Sequence, residues 1–175
     1  MLDTISETRL KDVHPLLSKR IHDLDASISP VVQIRITQGL RTWPQQFELY
    51  NQGRTTPGKI VTDAKPGYSA HNFGYAVDFV VMNGSLPDWD SKHTAWGTVL
   101  QIALDCGLAE GATWRTFPDT PHLYLKELPA DPDDHMRAIY EAAGLEEVWK
   151  DWELNALAVN SGVPGLSKGN TPANG

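Results

Sequence analysis

The stretch SAHNFGYAVDF, residues 69–79, decides how the chain is read. Its second half alternates like a strand entering a core. Tyr75, Val77 and Phe79 fall on one face, and Ala76 and Val80 on the other. Asp78 shares the Ala76/Val80 face, where an unpaired carboxylate is expensive to bury. His71 stands seven residues earlier, with Gly74 between the two. An acid inside a core strand needs a compensating charge, and a glycine after the histidine suggests a tight backbone turn.

Outward from this segment the elements alternate in type. Leu10, Val13, Leu17, Ile21 and Leu24 recur at helical spacing, which predicts one amphipathic helix over about 5–26. VVQIRIT places Val32, Ile34 and Ile36 on one side of a strand. In RTWPQQFELYNQGR, Thr42 and Gln45 form a capping-box pattern, Pro44 suits a first helical turn, and Gly53 marks the stop. Residues 55–67 read as a loop, the strand over 76–82 follows, and NGSLPDWDSK reads as a second loop. Trp96, Val99, Leu100 and Ala103 mark a helix ending at Gly107. ATWRTFPDTPHLYLKE reads as two short strands around a turn. Asp131 is a good N-cap with Pro132 behind it and Gly144 as the stop, and a last helix covers about 145–158. The pattern predicts an α+β fold with a small, mainly antiparallel sheet and flanking helices. No internal repeat is present. One catalytic domain is expected over 1–160, with a disordered, Gly/Pro/Ser/Asn-rich tail over 161–175.

The 175 residues suffice for one domain with a real core. With 41% hydrophobic and 21% charged residues the composition is that of a globular protein. A net charge of −7 argues against a nucleic-acid partner and against an electrostatic grip on an anionic membrane. No stretch approaches the roughly 20 apolar residues of a membrane span, and no signal peptide is read at the start. A monomer made in a cytoplasm is expected. The single cysteine, Cys106, excludes an internal disulfide and a cysteine-held zinc, and is expected as a buried structural thiol.

Six histidines are present, and two stand in unusual company. His71 precedes Asp78, and DTPHLYL sets Asp119 three residues before His122. A catalytic zinc needs about three N or O ligands and an open position. His71, Asp78 and His122 would supply them, and Asp119 would serve as the proton-transferring carboxylate. Pro121 makes the link from Asp119 to His122 extended. The spacing alone leaves a plainer reading open, in which His71 is a loop histidine and Asp78 caps a neighbouring loop. His14, His22, His93 and His135 are expected to be solvated or capping. Asp88 and Asp90 could hold a hard cation, although a solvated loop is the simpler expectation.

SAHNFGYAVDF resembles the S-x-H-x-x-G-x-A-x-D signature of the zinc peptidases of the D-alanyl-D-alanine carboxypeptidase/lysostaphin type. DTPHLYL is similar to their second signature, an acid-x-x-His on a strand. ITQGLRTWPQQFELYNQGRT resembles a strand and helix that present an arginine and a glutamine to substrate. GKIVTDAKPGYSAHNFGYAVDF is especially like the L-alanyl-D-glutamate peptidases, among them phage endolysins. The resemblance runs over about 5–150. It implies a Hedgehog/DD-peptidase-like fold, with His71, Asp78 and His122 as ligands of Zn2+ and Asp119 as the catalytic acid/base. It also implies Arg41 as catalytic and substrate-binding, and Gln46 and Ser69 as substrate-contacting. Some relatives carry Glu in place of Asp119, and many an aromatic residue in place of Leu123. Trp114, close before the second signature, is a candidate cleft residue. The expected activity is hydrolysis of the L-alanyl-D-glutamate bond of the peptidoglycan stem peptide, by an enzyme that reaches the wall through holin-type release. Two alternatives stay open: a D-alanyl-D-alanine carboxypeptidase, and a zinc-binding module of the same fold without catalysis.

Overall fold

The computed structural model describes residues 1–128 and 131–160, with side chains described to residue 155. The chain divides into two compact units, Met1–Asp133 and a second that begins at Asp134. The expected tail over 161–175 lies outside the described residues.

The first unit opens with α1 (Thr4–Leu10) and α2 (Pro15–Ile28), where the apolar spacing suggested one helix. Pro15 divides them. It lacks an N–H and disfavours helical backbone at the residue before it. His14 accordingly adopts ψ 135° and caps α2, its Nδ1 accepting from the Leu16 N–H at 3.1 Å. His14 is therefore a cap, as expected, but a buried one rather than a solvated one. Asp3 caps α1 through the Ser6 N–H, and the Ile36 N–H donates to the Ser6 hydroxyl at 2.9 Å, which pins α1 to the sheet.

The sheet contains β1 (Gln33–Gln38), β2 (Ala76–Asn83), β3 (Leu86–Asp88), β4 (Leu108–Gly111) and β5 (Asp119–Leu125). All pairings are antiparallel, in the order β1-β2-β5-β4 with β3 also on β2. With α1 and α2 against β1, α4 (Thr94–Asp105) against β4, and α3 (Trp43–Asn51) following β1, this is the α+β architecture expected. The Thr42/Gln45 capping box on α3 forms as the pattern suggests. The 83–92 region holds β3, a short strand rather than only a loop. Gly84 and Ser85 turn the chain there, with Gly84 at φ 62°, a hairpin signal inside a segment whose polarity reads as loop. Cys106 is half-buried at the end of α4 instead of fully enclosed.

β2 is the central strand, and both of its faces are covered. Val77 and Phe79 are fully buried, as are Ala76 and Val80 opposite. Leu17, Ile21, Leu24, Ile36, Phe73, Trp96, Val99, Ala103, Leu108, Leu123 and Leu125 are among the other core residues. Asp78 is the one charged side chain in this strand.

The second unit comprises α5 (Asp134–Ala143) and α6 (Leu145–Asn160). α5 begins at Asp134 rather than behind Pro132, and Gly144 at φ 86° stops it as expected. His135 contacts Asp151 at 3.1 Å. No helix among the described residues is long and apolar enough to cross a membrane.

Candidate active site

Register brings the first two candidate ligands together. Asp78 on β2 lies directly opposite His122 on β5, and side chains at opposed positions stand about 5 Å apart at Cβ. His71 arrives on a short 3-10 turn, Ala70–Phe73, that Gly74 ends at φ 67° in the left-handed region. The glycine therefore makes the turn that the sequence suggested.

The donor atoms form a nearly equilateral triangle. His71 Nε2 lies 3.2 Å from Asp78 Oδ1 and 3.2 Å from His122 Nδ1, and His122 Nδ1 lies 3.2 Å from Asp78 Oδ1. Ligands on a tetrahedral ion with bonds of about 2.0 Å stand about 3.3 Å apart. The triangle is thus one face of a metal tetrahedron, and the donor set fits a metal ion. The imidazoles are prepared for it. His71 Nδ1 lies 2.9 Å from the Gly39 carbonyl, so it carries the proton and leaves the Nε2 lone pair facing the triangle. Burial pushes the His71 pKa down despite the attraction of Asp78, which favours the neutral, ligating form. Burial alone would raise the Asp78 pKa. The charges and hydrogen bonds of His71 and His122 outweigh it and hold the carboxyl well below the usual range. His122 is oriented by packing, with Trp114 and Tyr124 rings at 5.0 and 5.7 Å.

The triangle opens into a cleft of about 830 Å³. Arg41, Ser69, Trp114 and Asp119 line it, so the structure gathers these four sequence candidates beside the three ligands. Burial raises the Asp119 pKa, and the Asp78 carboxylate adds to this, against the pull of His122, His71 and Arg41. Arg41 Nη2 lies 3.4 Å from Asp78 Oδ2. Burial lowers its pKa against the attraction of Asp78 and Asp119, yet a guanidinium stays charged in a protein.

Gln46 lies elsewhere. It is fully buried behind Arg41 and is absent from the cleft lining. Its Oε1 accepts from Arg41 Nη1 at 3.0 Å, and its Nε2 donates to the Ala64 carbonyl at 2.8 Å. It braces Arg41 and the cleft wall instead of presenting itself to a ligand.

Three residues escaped sequence reasoning. Gly39 supplies the carbonyl that orients His71, and a Cβ there would meet the Arg9 carbonyl oxygen at 2.3 Å. Asn72 donates to the Arg41 carbonyl at 2.8 Å, while the Arg41 N–H donates to the His71 carbonyl at 3.0 Å. These bonds lock the arginine to the ligand turn. Arg115 lines the cleft. Only the segment's high content of ligand-type residues could have drawn attention to Asn72, and no sequence signal marks the other two.

This fold and this site define a metallopeptidase. A family model described as D-alanyl-D-alanine carboxypeptidase matches residues 62–125, which span all three ligands and Asp119. The peptidoglycan L-alanyl-D-glutamate endopeptidase CwlK of Bacillus subtilis (strain 168) is 38% identical over 124 residues, 65% of this chain and 74% of that protein. The L-alanyl-D-glutamate peptidase of Listeria phage A118 is 31% identical over 101 residues, 57% of this chain and 33% of the phage protein. Among solved structures, the Serratia marcescens L-Ala D-Glu endopeptidase ChiX matches with a TM-score of 0.55 at 25% identity, over 72% of this chain and 90% of that one. The chain belongs to the D-alanyl-D-alanine carboxypeptidase family of metallopeptidases.

Proposed function

We propose that the protein is a zinc endopeptidase that hydrolyses the L-alanyl-D-glutamate bond of the peptidoglycan stem peptide. The observation that carries this is one cleft joining the His71/Asp78/His122 triangle to Asp119 and Arg41. Two relatives of that activity, CwlK and the Listeria phage peptidase, support the choice of bond. Two imidazoles and one carboxylate at near-tetrahedral spacing favour zinc. When bound, zinc supplies a Lewis acid that polarises a carbonyl and acidifies water.

The protein's own groups do the rest. Asp119 accepts the proton of the attacking water and returns it to the departing glutamate amine. Burial raises its pKa, which makes the carboxylate a stronger base for the first transfer. Arg41, held by Gln46 and Asn72, donates to the oxygen that gains negative charge as the carbonyl becomes tetrahedral. Ser69 and Trp114 contact the stem peptide along the cleft wall. The phage relative supports a role as an endolysin that meets the wall after release from the cell interior.

Incubation with purified peptidoglycan followed by mass spectrometry tests the reading. New N-terminal D-glutamate is the expected product. Released D-alanine would make the protein a carboxypeptidase, and the absence of either product would reject catalysis on this substrate.

A further inference from the structure

The cleft contains two arginines, and they are not alike. Arg41 is committed to Gln46 and Asp78 at its back. Arg115 also lines the cleft, is exposed, and has no hydrogen bond or ion pair among the described residues. Arg54, which is absent from the cleft lining, is spent on Asp63 at 2.6 Å and on the Tyr50 and Thr62 carbonyls. Arg115 is thus the cleft cation whose five donors are all available.

Its place in the chain is also defined. The loop from β4 to β5 is closed by the Trp114 N–H on the Gly111 carbonyl at 3.1 Å. The Trp114 ring rests against His122 with centroids 5.0 Å apart. Arg115 therefore follows the residue seated on a metal ligand and precedes Asp119, the proposed proton carrier, by four positions.

The chemistry of the bond asks for such a group. In the stem peptide the chain continues through the γ-carboxyl of D-glutamate. Its α-carboxylate is free and sits on the carbon bonded to the scissile nitrogen. A carboxylate entering this cleft meets Asp78, Asp119 and Asp131 in the lining, so it needs a local cation to be accepted. An arginine with an open fork matches a carboxylate in two parallel hydrogen bonds.

Resting on the endopeptidase reading, we infer that Arg115 forms the subsite for the free α-carboxylate of the glutamate on the leaving side of the scissile bond. It makes the enzyme selective for D-glutamate over its α-amide, D-isoglutamine. Arg115 is a specificity residue, distinct from the ligands and from the proton carrier.

The test uses the zinc-loaded full chain and two synthetic stem tripeptides that differ only in whether the α-carboxyl is free or amidated. The wild type should favour the free carboxylate by about 10- to 100-fold in kcat/KM, the scale of a charge-assisted pair lost to a neutral group. R115Q should bring the two peptides to within about threefold, with the loss on the free-carboxylate peptide and chiefly in KM. R115K, which keeps the charge without the fork, should retain an intermediate preference. Equal wild-type rates on both peptides, a preference that survives in R115Q, or an equal loss on both would overturn the subsite while leaving the endopeptidase reading intact. Cleavage of neither peptide by the wild type would overturn that reading and the subsite with it.

Discussion

His71 and His122 reach one point by different means. A carbonyl hydrogen bond aims His71, and flanking aromatic rings aim His122. On the proposed reading both are needed, because two remaining ligands hold a metal far more weakly than three. His71→Ala and His122→Ala should each lose bound zinc on metal analysis, and full retention in either would reject that ligand. Asp119 should behave in the opposite way. Asp119→Asn keeps the shape of the side chain but accepts no proton, so zinc should stay while the rate falls about 10²–10⁴-fold. Zinc loss would make Asp119 a ligand, and a near-normal rate would reject the proton-transfer role. Gln46 is a positioning residue. Gln46→Ala leaves Arg41 Nη1 without its buried acceptor, and should cost about 1–3 kcal/mol in stability as well as activity. Gln46→Glu keeps an acceptor for Arg41, and should recover kcat more than it recovers stability. Denaturant titration beside steady-state kinetics would check both, and equal kcat in the two variants would contradict the brace.

The elements are held in register by a few ties at their ends. Arg20 on α2 makes a paired contact with Glu127, both bonds at 2.6 Å, and also donates to the Gly107 carbonyl beyond α4. The Arg20 hydrogen bond, with the attraction between the charges, outweighs the desolvation of Glu127 and lowers its pKa from 4.5. A lowered carboxylate pKa stabilises the fold above the unfolded value, and that contribution fades as pH falls through the folded value. Glu127→Gln should therefore lower Tm near neutrality by the equivalent of about 1 kcal/mol or less, since Glu127 is partly exposed. The gap to wild type should narrow below pH 4.5. Thermal melts across pH 3–7 would show it, and a constant gap would mean the tie is not ionic. Pro15 and the Gly84-Ser85 turn belong to this scale too. The apolar spacing ran through Pro15 and concealed the break between α1 and α2. The polarity of 83–92 concealed β3. In both places local punctuation decided the element against the wider pattern.

At the scale of the molecule, two candidate ligands from one segment, His71 and Asp78, meet His122 only because β2 pairs with β5. Zinc bound to the folded chain and not to the unfolded one should therefore stabilise the whole first unit. Chelation should lower Tm by about 5–10 °C relative to protein with zinc at a hundredfold excess over Kd. Restored zinc should recover it, and a Tm indifferent to chelation would argue against a metal bound by the folded triangle. Much of the candidate site was legible beforehand, because the proposed chemistry demands particular residue types in short, ordered motifs. His71, Asp78, Asp119 and His122 stand in two such motifs, and the alternation around Asp78 made its carboxylate conspicuous. The α+β class followed from alternating helical and strand periods, which are local properties of the chain. Only the tertiary structure decided what depends on contacts between distant segments: the 3.2 Å triangle, set by the pairing of Asp78 with His122; the turn of Gln46 away from the cleft; and the reach of the Gly39 carbonyl to His71. A residue's type is written in the sequence, but the atoms it faces are set by register and packing between elements far apart in the chain.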